Sequence, residues 1–234
     1  MVKPTQQLKW FCLGLILLSA SLRANNATES EKQLLANVFP TSCHFSGQFS
    51  QLKHIDGLPV PLLSEGDFFF SCDLGLVWNT HSPFNEAILF VNAAKNYRVD
   101  DEGEIQPLSG ITQYILYKVL MRLLQGDTDY FAEEFIVTPA DDGEMLMLRP
   151  ENYFMQKGID NIQFKKNESL EEGLALSVVV TDITGQKTKV QINRIKEHEI
   201  DGRLSAFEQC KDLYPNSEQW CKLLRSPRRF EQKF

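Results

Sequence analysis

The chain has 234 residues, a formal net charge of −7 and 43% hydrophobic residues. That length is enough for one domain with a sizeable core. Its Lys and Arg are scattered along an acidic chain, which excludes nucleic acid as a partner because phosphate binding needs a basic face.

Lys3 and Lys9 precede the apolar run Trp10–Leu18, and small residues follow as far as Leu22-Arg23-Ala24. A membrane-crossing helix needs about 20 apolar residues, and this run falls short. Residues 1–24 therefore read as a cleavable secretory signal, with Ala24 as the expected cleavage point and Ala20 as the alternative, rather than as an anchor. Cys12 lies inside the apolar run behind Lys9-Trp10-Phe11, unlike the small-residue setting of a lipidated cysteine. Loss of Lys3, Lys9 and Arg23 takes the net charge to about −10. No later apolar stretch is long enough to span a bilayer, so the exported chain, residues 25–234, is expected to be one soluble domain.

Cys43, Cys72, Cys210 and Cys221 remain after export. An even count in an oxidising compartment favours disulfides, and four cysteines allow three pairings. Pairing of chain neighbours, Cys43 with Cys72 and Cys210 with Cys221, is preferred. Loop closure then contributes about 3.6 and about 2.8 kcal/mol in the chain-entropy account.

Asn25 to Ser30 is polar, and Thr28 or Ser30 opens a short predicted helix, Glu31 to Val38, with Leu34, Leu35 and Val38 on one face. From His44 the pattern is that of strands. Phe45 to Ile55 alternates polar and apolar residues, Asp56-Gly57-Leu58-Pro59 is a turn, and Val60 to Ser71 returns. A turn centred near Gly57-Leu58 sets Cys43 opposite Cys72. Gly75 to Thr80, Glu86 to Asn92 and Lys95 to Val99 continue the strands, followed by an acidic turn at Asp100 to Gly103.

Ile111 to Gln125 is a predicted helix that is apolar nearly all round, broken only by Thr112, Gln113, Lys118 and Arg122. Such a helix is either buried on every side or offers a spare face to something apolar. Strands resume at Phe131 to Thr138, Glu144 to Leu148, Ile159 to Lys165, Gly173 to Asp182 and Lys187 to Ile195, separated by short Asp and Gly turns. Cys210 to Leu224 reads as a short tail, with a helix as one of its forms, held by its disulfide. The whole is mainly β with some α: a curved antiparallel meander tending toward a barrel.

Motifs for catalysis are missing. There is no Gly-x-Ser-x-Gly elbow, no His-Glu-x-x-His, no Cys-x-x-Cys and no phosphate-cradling glycine loop. His44, His54, His81 and His198 lack ligand spacing, and Glu197-His198-Glu199 on a strand points to alternate faces, so His198 reads as solvated. Asp141-Asp142-Gly143-Glu144 is too short for a calcium loop. No enzyme activity, cofactor or metal is expected.

Gly47-x-Phe49-x-Gln51-x-Lys53, Gly57-Leu58-Pro59-x-Pro61-Leu62, Ser64-x-Gly66-x-Phe68-x-Phe70 and Gly75-Leu76-x-Trp78-x-Thr80-x-x-Pro83-Phe84 follow one another in this chain. Together they resemble the first strands of LolA-type outer-membrane lipoprotein carriers, in a divergent branch. The apolar helix, Phe135 to Pro139, Ile159 to Phe164 and the last two strands keep the family's order, so the likeness runs from about Leu34 to Ile195. It departs at Ser71-Cys72-Asp73-Leu74, where the family's lipoprotein carriers have an Arg, and at the Cys210–Cys221 tail.

The resemblance implies an unclosed β-barrel (LolA/LolB-like) with helices forming a lid over a hydrophobic cavity. It implies a monomeric periplasmic carrier of a lipid or acylated cargo, in transient contact with inner- and outer-membrane components of a Gram-negative cell. The expected cavity residues are Phe49, Phe68, Phe70, Leu76, Trp78 and Phe90 from the sheet, with Ile111, Ile115, Val119 and Leu123 from the helix; the alternative for each is plain core. Phe68 and Phe70 share a face and Phe69 points away. Gly47, Gly66 and Gly75 read as devices for curvature or bulges. Gln51 and Lys53 are expected on an exposed face. A periplasmic module that binds a protein partner on the same half-barrel is the competing reading.

Overall fold

The computed structural model describes residues 29–92, 95–108, 111–140, 145–169 and 173–228. The expected signal segment lies outside these residues. A helix over 29–36 (α1) leads into six strands, β1 (His44–Lys53), β2 (Leu62–Ser71), β3 (Gly75–Ser82), β4 (Glu86–Asn92), β5 (Lys95–Val99) and β6 (Ile105–Pro107). Two helices follow, α2 (Ile111–Leu124) and α3 (Thr128–Glu134). The chain then forms β7 (Phe135–Pro139), β8 (Leu146–Pro150), β9 (Ile159–Ser169), β10 (Gly173–Asp182) and β11 (Lys187–Glu197), and ends in α4 (Gly202–Leu213) and α5 (Glu218–Arg225).

All eleven strands form one antiparallel sheet in the order β6-β5-β4-β3-β2-β1-β11-β10-β9-β8-β7. The first and last strands therefore meet at its centre, and β6 and β7 form two unjoined edges. The chain passes from one edge to the other through α2 and α3, so the helices must cross the face of the sheet. The sheet is an unclosed barrel, and Val119, Leu123 and Leu124 of α2 and Phe131 of α3 share one core cluster with its strands.

Glycines set its curvature where backbones crowd. A Cβ on Gly66 would lie 1.9 Å from the Asn79 carbonyl oxygen, beside a register shift between Glu65 and Gly66. Gly75 has φ +121°, and its Cβ would lie 2.0 Å from the Phe90 carbonyl oxygen. A second irregularity opposite Gly47, between Ser46 and Gln48, coincides with Arg194 at φ 51°.

The β1–β2 register, His44 on Ser71 through Lys53 on Leu62, centres the hairpin at 57–58 and brings Cys43 and Cys72 together at S–S 2.09 Å. Cys210 and Cys221 are joined at S–S 2.03 Å and are fully buried.

Most boundaries shift by a few residues and β6 (Ile105–Pro107) adds to the predicted strands; two differences change the organisation of the fold. Phe131 belongs to α3, because the Asp127 side chain accepts the Tyr130 N–H and starts a helix before β7. The C-terminal tail is a helical pair starting at Gly202. Phe207, Cys210, Tyr214, Cys221, Leu223 and Leu224 pack against Phe69, Val77, Leu89, Tyr97 and Val99 on the convex face. Arg203 closes the pair by donating to the Leu224 and Arg225 carbonyls at 3.2 and 2.9 Å.

Gly66→Ala is expected to cost more than about 3 kcal/mol in chemical denaturation, because the new methyl meets backbone that cannot yield. Replacing Cys210 and Cys221 together by Ala is expected to remove about 2–4 kcal/mol. It should also raise binding of a hydrophobic dye as the Phe69 side of the sheet is uncovered; unchanged stability and dye binding would contradict the role given to the tail.

Candidate functional site

Cross-strand register arranges the concave face in rows. Phe45, Phe70, Leu76 and Phe90 form one row, and Gly47, Phe68, Trp78 and Ile88 the next. In the third, Phe49 lies opposite Gly66 on one side and Ile192 on the other, with Leu176 beyond. Each glycine lies across from an aromatic and leaves room for it. A Cβ on Gly47 would meet the Phe68 ring at 2.8 Å, and one on Gly66 would meet the Phe49 ring at 2.8 Å. Phe49 then stacks on Trp78 with centroids 3.8 Å apart, and Phe68 on Trp78 at 5.7 Å. Offset stacks of this kind add about 0.5–1.5 kcal/mol each beyond area burial.

Three helical segments cover this face. Leu35 and Phe39 come from α1 and the turn after it, Val119, Met121, Leu123 and Leu124 from α2, and Tyr130 and Phe131 from α3. Of the predicted residues, Phe49, Phe68, Phe70, Leu76, Phe90, Val119 and Leu123 are buried in this one cluster, with Trp78 half-buried against it. The backbones of Ile111 and Ile115 lie in α2, and their side chains are outside the described residues.

The sequence reading did not include a second aromatic group on the same face. Phe39 meets Phe131 edge-on at 4.9 Å and Phe164 at 5.5 Å, and Phe131 lies 5.4 Å from Phe135. The period-two spacing of Phe135 with Val137 and Ile162 with Phe164 carries that signal in the sequence. Arg122 fixes the end of α2: its guanidinium pairs with Asp127 at 2.5 Å and lies over the Tyr130 ring at 5.4 Å.

Coverage is uneven along the strands. At the disulfide end the concave side chains are fully buried, as at Phe70 and Leu76. Toward the opposite end, Trp78, Ile88, Val180 and Val190 are only half-buried. Gln51 and Lys53 follow Phe49 on this face; Gln51 is half-buried and Lys53 exposed. The face thus offers mainly apolar surface and shape, with Gln51 and Lys53 near its open end and Asn96, paired with Phe90, and Lys166, paired with Leu176, toward the disulfide end.

On the convex side, a cleft of about 470 Å³ lies between the sheet and the C-terminal helices. Asp67 is its centre. Its carboxylate accepts the Tyr214 hydroxyl at 2.7 Å and the Asn79 amide at 3.3 Å, and it pairs with His81. Burial, with the negative charge of Asp67 beside it, pushes the Tyr214 phenol well above its usual range, so it stays protonated and donates. Gln48 accepts from Arg194 at 2.9 Å on the cleft wall. Among the described residues no three of His, Cys, Asp and Glu converge as metal ligands.

His198 is not the solvated residue expected. It is half-buried, with Nε2 2.9 Å from the Ser46 hydroxyl and its ring edge-on to Phe69 at 6.0 Å. Burial lowers its pKa, helped by the charges of Lys196 and His44. A base held below its unfolded pKa of about 6.5 is protonated more readily in the unfolded chain, so its contribution is intact above that pH and declines as pH falls through the folded value. Thermal melts are expected to show Tm falling from about pH 6.5 downward, with a shallower slope in His198→Gln. An identical slope in the variant would contradict this assignment.

The family model described as "Outer membrane lipoprotein carrier protein LolA" matches residues 41–207. No curated protein sequence matches the chain. Among solved structures, a LolA superfamily protein from Nitrosomonas europaea aligns at 10% identity and TM-score 0.43, covering 74% of this chain and 94% of that one. A DUF1329 family protein from Desulfovibrio piger aligns at 11% identity and TM-score 0.43, covering 74% of this chain and 92% of that one.

Proposed function

The chain belongs to the LolA family, and from that premise we propose that it is a non-enzymatic periplasmic carrier whose concave face shields an acyl chain between the two membranes. The observation that carries this reading is the helix-spanned concave face. Its aromatics are interlocked at one end and half-open at the other around Trp78, Ile88, Val180 and Val190. Each methylene exposed to water costs about 0.8 kcal/mol, so a chain of about 14 methylenes faces a penalty on the order of 11 kcal/mol. Apolar surface under a movable cover removes that penalty without any reacting group.

In this reading α2 is the lid, and the acyl chain lies among Phe49, Phe68, Trp78 and Phe90 on the sheet and Val119 and Leu123 on the helix. Ile111 and Ile115 extend the proposed lining along the same helix. Two disulfides fit an oxidising compartment. The stretch Ser71-Cys72-Asp73-Leu74 carries a disulfide cysteine and no Arg, so the cargo is proposed as an acyl chain in general rather than a lipoprotein alone.

Protein purified from the periplasm is expected to yield a stoichiometric acyl species on organic extraction and mass spectrometry. Trp78→Asp combined with Val180→Asp is expected to cut that yield at least tenfold while far-UV circular dichroism stays unchanged, since both positions are half-buried. An empty protein, or loading that survives both changes, favours instead a module that binds a protein partner through the same half-barrel.

A further inference from the structure

Among the described residues one residue other than glycine takes a positive φ, and it is Arg194 at 51°. The six other positive-φ positions are all glycine. Arg194 stands at the bulge where β11 sets two residues, Arg194 and Ile195, against Gly47 alone. Glycine enters the left-handed region freely and is the usual residue at such a bulge, whereas Arg enters it at a steric cost. Strain of this kind gathers at ligand sites, where a particular side chain is needed. The Arg194 side chain lines the cleft on the convex face.

We propose that this cleft binds a phosphate monoester, held by Arg194 and Lys196. Its volume, about 470 Å³, is that of a small-molecule site. Arg194 donates to Gln48, Lys196 lines the same wall, and neither has a carboxylate partner among the described residues. Asp67 is the one acid in the lining, and its oxygens are engaged by Tyr214, Asn79 and His81. Four more acids stand within two residues of the lining. Glu218 is paired with Lys222 and Lys211, and Glu197 lies opposite Phe45 on the other face of β11. Glu65 and Asp212 are exposed and outside the cleft.

The spare hydrogen-bonding capacity is therefore on the donor side. Ser217, also in the lining, begins α5 with no side-chain cap on the helix's first N–H groups. Trp220 adds an indole N–H that is buried with no acceptor among the described residues. A phosphate monoester brings a charge of about −1.5 to −2 and three acceptor oxygens, which suits two cations with further donors. A carboxylate is satisfied by one bidentate Arg. Leu213 and Pro215 offer an apolar wall to the organic part of the ester. The site lies on the face of the sheet opposite the proposed acyl surface and does not depend on that reading.

The test uses residues 25–234 with Trp78→Phe, which leaves Trp220 as the sole tryptophan. Its emission is followed while glycerol 3-phosphate is added at constant ionic strength, with glycerol and succinate as controls. A saturable change is expected with glycerol 3-phosphate, none with glycerol, and an affinity at least tenfold lower for succinate. Phosphatidic acid in vesicles, run in parallel, distinguishes a lipid head group from a soluble ester as the source of the phosphate. Arg194→Gly is expected to weaken binding at least tenfold with no fall in melting temperature, because glycine relieves the strained backbone.

No response to either phosphate source, or equal affinity for succinate, would overturn the proposal. So would binding that Arg194→Gly leaves unchanged. A melting temperature lowered by Arg194→Gly would give that residue a structural role, and Lys196→Gln then decides, since Lys196 makes no hydrogen bond among the described residues. Unchanged binding in Lys196→Gln overturns the site, and an at least tenfold loss at an unchanged melting temperature supports it. A protein that carries no acyl chain yet binds the ester through Arg194 overturns the carrier reading and leaves this site standing.

Discussion

The packing of β2 between two layers governs the rest of the molecule. Phe68 and Phe70 point into the concave face and Phe69 into the convex one, and none is more than 1% exposed. A strand with apolar residues on both sides needs both sides covered, or each exposed ring forfeits about 1.5–3 kcal/mol of burial. The concave side is covered by α1–α3 and the convex side by α4 and α5. The convex cover is short, and it is held by the buried Cys210–Cys221 bond and by the Tyr214–Asp67 hydrogen bond. The polar cleft around Asp67 thus takes its shape from how the tail is tied to the sheet.

Topology supplies the second constraint. With β1 paired to β11, the sheet grows outward from its centre and ends in the unjoined edges β6 and β7. The chain has to travel between these edges, and α2 and α3 make that journey across the concave face. The same segment therefore connects the two halves of the chain and covers the aromatic rows. Its far end is fastened by Arg122 on Asp127 and Tyr130.

Much of this was legible in the sequence because antiparallel strands betray themselves by alternation. The Gly57-Leu58 turn predicted the Cys43–Cys72 register, and the parity of Phe68, Phe69 and Phe70 predicted which ring faces which side. What escaped depended on contacts distant in sequence. Nothing in Gly202 to Leu213 shows locally that it packs on the back of the sheet, since its apolar positions acquire meaning only beside Phe69 and Leu89. The sequence places Phe131 at the start of a strand, whereas the Asp127 cap puts it in a helix. The alternation of Glu197-His198-Glu199 across a strand leaves His198 reading as solvated, whereas its environment is set by Ser46 and Phe69. Gly66 was legible as a special position, but its reason, an approach of 1.9 Å to the Asn79 carbonyl oxygen by any side chain there, belongs to the folded sheet.

Trp78 and Trp220 stand on opposite sides of this sheet, the first stacked on Phe49 and the second beside Tyr214 in the convex cover. The most direct test of the carrier account is quenching of tryptophan fluorescence by a spin-labelled fatty acid in the Trp220→Phe and Trp78→Phe variants of residues 25–234, which lack Trp10 and so keep one tryptophan each. The account predicts saturable quenching of Trp78 and none of Trp220. Quenching of Trp220 alone, or of neither, would contradict it.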